Sequence, residues 1–305
     1  MTAATDAARR PSDTWEFGAY RYGLEPLYLP PATDAAQLGR PLFRDGSVQG
    51  PAREHRPGPG TGAAADLETA DDLFWFRWIT GHQLTFLLWH LMARVLGPAR
   101  ANGEHNEEAI NTLVLLTEGY NAMLMYTSSC TPQAYERFIR PSMYRQHHGF
   151  SGVWAPDYAP VRRLFHGRPP EWIRGPEAKT LYEAVQLNHT VHAAVAARLV
   201  PGSESLLQQH ASVMRLQERT VCGDIYDAYF LTLRTRVDRE EISRQLGRRI
   251  RALLADTGCN GFYPSGAKTI LAQTPDRLRT PAILDYERRF PDILARLNPL
   301  SESSP

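Results

Sequence analysis

The chain has 305 residues, 43% of them hydrophobic and 22% charged, with a formal net charge of +1. That composition suits a globular protein with a sizeable core, and it offers no global field to attract nucleic acid or an anionic membrane surface. No run of about 18 uncharged apolar residues occurs, so no membrane span is expected. The opening stretch MTAATDAARRPSD has none of the apolar core a secretory leader needs. The three cysteines, Cys130, Cys222 and Cys259, are too few and too far apart for a disulfide framework or a CxxC metal site. Together these features lead to the expectation of a cytoplasmic protein.

In chain order, residues 1–14 read as a loose tail and residues 15–66 as an arm followed by a loop. The arm, WEFGAYRYGLEPLYLPP (Trp15–Pro31), is aromatic, Pro-terminated and extended. The stretch 47–66 is rich in Gly, Pro and Ala and reads as a mobile loop. Residues 67–305 then form a helical domain. Thr69 with Asp72 makes an acidic variant of a capping box, and the helix it opens runs from Leu73 to Leu96, closed by Gly97-Pro98. Further helices are predicted over Asn106 to about Met125, over Pro176 to Val200 before Pro201-Gly202, and over about Ser205–Cys222. The last begins at Asp238, with Glu241 as its box partner, and reaches about Asp256; a Pro-rich tail follows. Strand-like alternation is scarce and no repeat is present, so the fold class is all-α with an extended N-terminal arm.

The first helix contains an aromatic stripe. Trp75, Trp78, His82, Phe86 and Trp89 fall at helical spacings of three and four. Such a stripe is ordinarily core, with one satisfied histidine in it. Its sharper reading is a flat apolar slot into which one general base or metal ligand points. Gly81, just before His82, lowers helix propensity by up to about 1 kcal/mol relative to alanine, which makes sense if something bulky lies against the backbone there.

The third helix carries His189 and His192, which can share a face. With no carboxylate or cysteine in the set, zinc would lack ligands, and HExxH is absent. The run of Ala193, Ala194, Ala196 and Ala197 leaves a shallow surface. A macrocycle could approach it closely, with one imidazole as axial ligand to its iron. A competing account is that alanine is simply the best helix former. A CxxCH attachment motif for such a group is absent.

Three blocks resemble a known family. DDLFWFRWITGHQLTFLLWH is similar to the first catalytic-domain helix of the tryptophan 2,3-dioxygenases, and places that family's distal histidine on His82. LLTEGYNAMLMYTSSCTPQAYERFIRPS resembles the following helix and the turn into a Pro-containing loop over the substrate. Asn188-His189 resembles the pair that carries the proximal haem ligand; His192 is the alternative, because Arg198 falls six residues after it, as an arginine does in the dioxygenases. The chain also departs from that family. The loop that grips the tryptophan carboxylate is replaced by HHGFSGVWAPDYAPVRR, and CNGFYPSG is the nearest remnant of a Gly-rich loop.

The arm WEFGAYRYGLEPLYLPP, the chain length and the distance from His82 to His189 are similar to the bacterial haem-dependent tyrosine 3-hydroxylases within the same superfamily. That resemblance implies haem b, hydrogen peroxide as oxidant, and hydroxylation of L-tyrosine to L-DOPA for the alkyl-proline units of antibiotics. It implies His82 as the catalytic distal group and His189, or alternatively His192, as the axial ligand. Trp78, Phe86 and Ala193 would line the cofactor. Arg140, Arg145 and Arg162 are candidates for the substrate carboxylate, while His147 and His148 lie in an expected loop and read as exposed. By analogy the protein would be a homo-oligomer. Two alternatives remain open: a dioxygenase that cleaves an indole ring, and a non-catalytic haem-binding protein.

Overall fold

The computed structural model describes residues 24–32, 70–97, 106–200, 216–264 and 279–298. The tail 1–14, most of the arm, the loop 47–66, the cap at Thr69 and the start expected for the fourth helix at Ser205 lie outside these residues. The described chain is predominantly helical, as expected. In order it contains β1 (Leu27–Leu29), α1 (Ala70–Leu96), α2 (Asn106–Thr127), α3 (Pro132–Ala134), a π turn (Tyr135–Ile139), α4 (Arg140–Gln146), a single 3-10 turn (Gly152–Trp154) and α5 (Tyr158–Phe165). It continues with α6 (Pro176–Leu199), α7 (Leu216–Tyr229), β2 (Thr232–Arg234), α8 (Arg239–Asn260), α9 (Pro281–Arg288) and α10 (Phe290–Leu297). No helix among the described residues is long and apolar enough to cross a membrane.

Helix α1 is apolar on every side, and such a helix belongs in the centre. Leu73, Phe74, Phe76, Ile79, Leu84, Phe86, Leu87, Leu88 and Met92 are all buried. It is covered by α2, α5 and α8, and α2 in turn separates it from α6. The α1–α2 crossing is close because Gly81 has no side chain. A Cβ there would meet Thr127 Cγ2 at 2.4 Å and Tyr126 Cδ1 at 3.1 Å. The bulky object expected beside Gly81 is therefore the end of α2. Thr127 cannot swing aside freely, because its hydroxyl donates to the Met123 carbonyl (2.8 Å). Gly81→Ala should thus lower stability by about 1–3 kcal/mol, the usual range for overpacking, read as a shift in the urea midpoint at constant slope.

The arm is extended where it is described. Leu27–Leu29 pairs in parallel with Thr232–Arg234, in the register Leu27 with Thr232. Gln83, the residue after His82, helps to pin it. Its Nε2 donates to the Glu25 and Phe230 carbonyls (3.0 and 2.9 Å), while its Oε1 accepts from Arg249 Nε (3.1 Å). Arg234 closes the same corner between Asp157 and Asp227, each at 2.7 Å. Burial pushes both carboxyls up, and their bonds to Arg234 pull them back.

Within the expected Pro-rich C-terminal tail, the described residues form α9 and α10. Pro281 and Pro291 occupy first turns, where a missing N–H costs nothing, and the Thr280 side chain caps α9 through Ile283 N. The fourth helix continues to Tyr229, well past the expected end at Cys222.

Candidate functional site

The aromatic stripe of α1 forms one wall of a cage whose other walls come from distant segments. The His82 ring lies 4.3 Å from the Trp78 ring and stacks on Phe230 at 4.4 Å, with 19° between the planes. Phe230 is held there by the turn that ends α7. Its carbonyl accepts from Gln83, and the next residue, Leu231, adopts the left-handed region at φ 52, a conformation that non-glycine residues take at a cost. Phe150 completes that side, 5.3 Å from Tyr226 and 4.9 Å from Tyr229.

The tautomer of His82 follows from its surroundings. Nδ1 lies 2.6 Å from the Trp78 carbonyl, and a carbonyl only accepts, so Nδ1 carries the proton and Nε2 keeps its lone pair. Burial depresses the imidazole to about 4, partly offset by the bond to Trp78. His82 is therefore a neutral hydrogen-bond acceptor at and well below neutral pH.

A short polar chain fixes the Trp78 wall. Trp78 Nε1 donates to Tyr229 Oη (3.2 Å), Tyr229 Oη lies 2.7 Å from Ser142 Oγ, and Ser142 donates to the Ile139 carbonyl (2.7 Å). Because the Ser142 proton goes to Ile139, the Tyr229 hydroxyl donates to Ser142. The π turn Tyr135–Ile139, just before Pro141, brings Tyr135 edge-on to Trp78 at 6.0 Å. Single π turns of this kind are frequent at functional sites.

His189 lies elsewhere. It is exposed on α6, and its Nε2–H donates to the Phe165 carbonyl at 2.6 Å, so Nδ1 is the nitrogen with the lone pair. His192 and Ala193 are also exposed on this helix. Between His82 and this face, ring contacts run from His82 to Phe86 (6.4 Å), Trp89 (5.9 Å), Tyr120 (5.1 Å) and Phe165 (5.3 Å). Trp78 and Phe86 are ring neighbours of His82, and this series of contacts connects the His82 cage to the Phe165 carbonyl that His189 meets.

These groups test the fit of a haem. Each histidine commits one nitrogen to a backbone carbonyl and leaves the other as the lone pair an iron ligand requires. Either one therefore has the donor chemistry to hold an iron through a single nitrogen. Of the three arginines expected near a substrate, Arg140 is half-buried and paired with Glu136 (3.1 Å), while Arg145 and Arg162 are exposed. His147 and His148 are exposed, against Trp154 and Tyr144 respectively.

Sequence reasoning missed Tyr135, Ser142, Phe150, Tyr229 and Phe230. The one available signal was IYDAYF (225–230), whose aromatics recur at helical spacing.

No curated protein matches the chain. Residues 32–181, just under half of the chain, match the family described as SfmD 3-methyl-L-tyrosine peroxygenase, a span that contains His82 and ends before His189. That match supports a peroxygenase of this family.

Proposed function

We propose that the chain is a haem-dependent, peroxide-using hydroxylase of a tyrosine-type ring, with L-tyrosine converted at ring position 3 to L-DOPA for antibiotic alkyl-proline units. The observation that carries this reading is a neutral imidazole with an open Nε2 inside an aromatic cage, within the span that matches a peroxygenase family. Bound haem supplies the oxygen-transfer chemistry, with hydrogen peroxide as oxidant.

The protein's own residues supply position and proton handling. Trp78, Phe86 and Phe230 surround His82 with apolar rings, the kind of setting that suits a phenol. His82 Nε2 accepts a hydrogen bond from the phenol or from peroxide. With so low a proton affinity it returns any proton readily. The Trp78–Tyr229–Ser142 chain keeps the indole from rotating. In this reading His189 holds the iron through Nδ1, with the Phe165 carbonyl fixing its tautomer.

One observation favours a second assignment. His82 is the imidazole that stands among the aromatic rings, and in that version its Nε2 would hold the iron. Loss of the Soret band on replacing His82, and not on replacing His189, would establish that version.

The reading is tested by the mass of the product when haem-loaded protein meets peroxide with L-tyrosine, 3-methyl-L-tyrosine or L-tryptophan. Gain of one oxygen on a tyrosine supports it. Gain of two oxygens on tryptophan would make the chain an indole dioxygenase, and haem binding without any product would make it a non-catalytic haem protein.

A further inference from the structure

The residue after His82 reaches two separate elements of the fold. Gln83 is fully buried on α1. Its Nε2 donates to the Phe230 carbonyl (2.9 Å) and to the Glu25 carbonyl (3.0 Å), while its Oε1 accepts from Arg249 Nε (3.1 Å). A side-chain amide has two protons and one acceptor oxygen. Both protons here face carbonyls, which only accept, and the oxygen faces a guanidinium, which only donates. The amide therefore fits one way round.

Of the two carbonyls, one belongs to the cage and one to the N-terminal arm. Phe230 ends the turn after α7 and stacks on the His82 ring at 4.4 Å. Glu25 lies in the arm just before β1. The arm also grips that turn directly, because Leu27 N donates to the Leu231 carbonyl at 2.9 Å. Leu231 sits at φ 52, where a leucine stays only when its surroundings over-determine it. Gln83 and Leu27 do so by holding two successive carbonyls, those of Phe230 and Leu231. Arg249 anchors the arm from behind through the Glu25 and Pro26 carbonyls (3.2 and 3.1 Å).

This clamp bears on the direction of a nitrogen. The bond from Nδ1 to the Trp78 carbonyl fixes one edge of the His82 imidazole, and the Phe230 face fixes its plane. Together they set where Nε2 points, as packing and supporting hydrogen bonds do for functional side chains in general. Gln245 provides the contrast. It is equally buried and clips the arm at Tyr28, accepting from Tyr28 N (2.8 Å) and donating to the Tyr28 carbonyl (2.9 Å). That clip joins the arm to α8, whereas Gln83 joins it to the ring against His82.

We propose that Gln83 is a positioning residue for His82, and that with the arm residues Glu25–Leu27 it holds Phe230 on the imidazole. The arm is then a working part of the site. In tying the stack to hydroxylation, the inference rests on the function proposed above.

The test compares Gln83→Glu with Gln245→Met. Gln83→Glu keeps the length and the acceptor oxygen but offers no N–H to either carbonyl. It also gives a carboxylate to Arg249, whose proton affinity burial lowers to about 10, which favours folding. The readout is proton NMR of the full chain with labelled histidine and no added haem. In the wild type the Phe230 face displaces the His82 ring protons upfield, and the two rings show mutual nuclear Overhauser effects. Both signatures should vanish in Gln83→Glu and persist in Gln245→Met. A stack that survives in Gln83→Glu overturns the proposal. So does a stack lost in both variants, which would make Gln83 an ordinary staple of the arm. Should Gln83→Glu fail to fold, Gln83→Met removes the same donors and is read in the same way. The wild type adds its own check: free exchange of the Gln83 Nε2 protons with solvent would also overturn the clamp.

In haem-loaded protein, hydroxylation by Gln83→Glu should fall at least about tenfold, within the roughly 10²-fold that a misplacement of about 1 Å can cost. Gln245→Met should keep the wild-type rate. Normal hydroxylation with the stack lost would overturn the positioning role. A wild type that never oxygenates tyrosine, while Gln83→Glu loses the stack, would sink the function and leave the clamp standing.

Discussion

Asp256→Ala should lower the free energy of unfolding by about 3–5 kcal/mol, the range for removing one partner of a buried ion pair. Arg77 and Asp256 are 1% and 0% exposed, and Arg77 Nε meets Asp256 Oδ2 at 2.8 Å. The carboxylate also accepts from the Tyr126 hydroxyl (2.6 Å) and from Asn260 Nδ2 (2.9 Å), so it joins α1, α2 and α8 at one point. Alanine would leave the guanidinium charged, buried and short of its acid. Part of the cost would fall on residues 261–262, whose carbonyls Arg77 holds at 2.8 and 2.6 Å. The check is chemical denaturation of the single variants and of the double variant Arg77→Met/Asp256→Leu. The double variant should lose less than the two single losses combined, because no charge is then stranded. A loss below about 1 kcal/mol for Asp256→Ala would mean that the ion pair contributes little to holding the three helices together.

His82→Ala should slow turnover by about 10²–10⁴-fold, the span typical of a positioned proton carrier, while leaving the Soret band in place. His189→Ala should remove or alter that band. The reverse pattern would transfer the axial role to His82. The pH dependence separates His82 from an ordinary histidine. Because burial lowers its affinity for protons to about 4, the rate attributable to its neutral form should persist as the pH drops through 6.5 and decline only near 4. Stability follows the opposite limb of the same linkage. The unfolded chain binds a proton at 6.5 before the folded one does, so the contribution is complete above 6.5 and is lost as the pH falls from there toward 4. His90, also lowered to about 4 by burial and by Arg94 and Arg234, adds in the same direction. A rate that falls with a midpoint near 6.5 in wild type but not in His82→Ala would show that His82 titrates normally in the folded protein.

The long helices were legible because their signals are local. Pro176 opens α6 as expected, and Asp238 caps α8 by accepting from Glu241 N at 2.7 Å. The apolar run of α1 identified the central helix, and its stripe of Trp78, His82 and Phe86 identified one wall of the cage. The opposite wall could not be read, since Phe230 meets His82, with Phe150 and Tyr229 packed behind it, and all three lie 68 or more positions along the chain from His82. Helices α4, α9 and α10 were obscured by prolines that proved to sit in first turns, where they are tolerated. The parallel pairing of Leu27–Leu29 with Thr232–Arg234 spans about 200 residues, and three-residue strands carry no periodicity to detect. The pattern of Gly81 was read correctly as a close approach, but sequence could not show that the neighbour is Thr127. Buried arginines look like surface arginines in a sequence, so Arg198 and Arg162 could be told apart only by packing.

The oxygen source tests the central claim most directly. Haem-loaded protein is given oxygen-18-labelled hydrogen peroxide with L-tyrosine under unlabelled air, and the ring-hydroxylated product is analysed by mass. The account predicts that the one oxygen gained is the labelled one. A product that carries unlabelled oxygen, or tyrosine that is recovered unchanged, would contradict it.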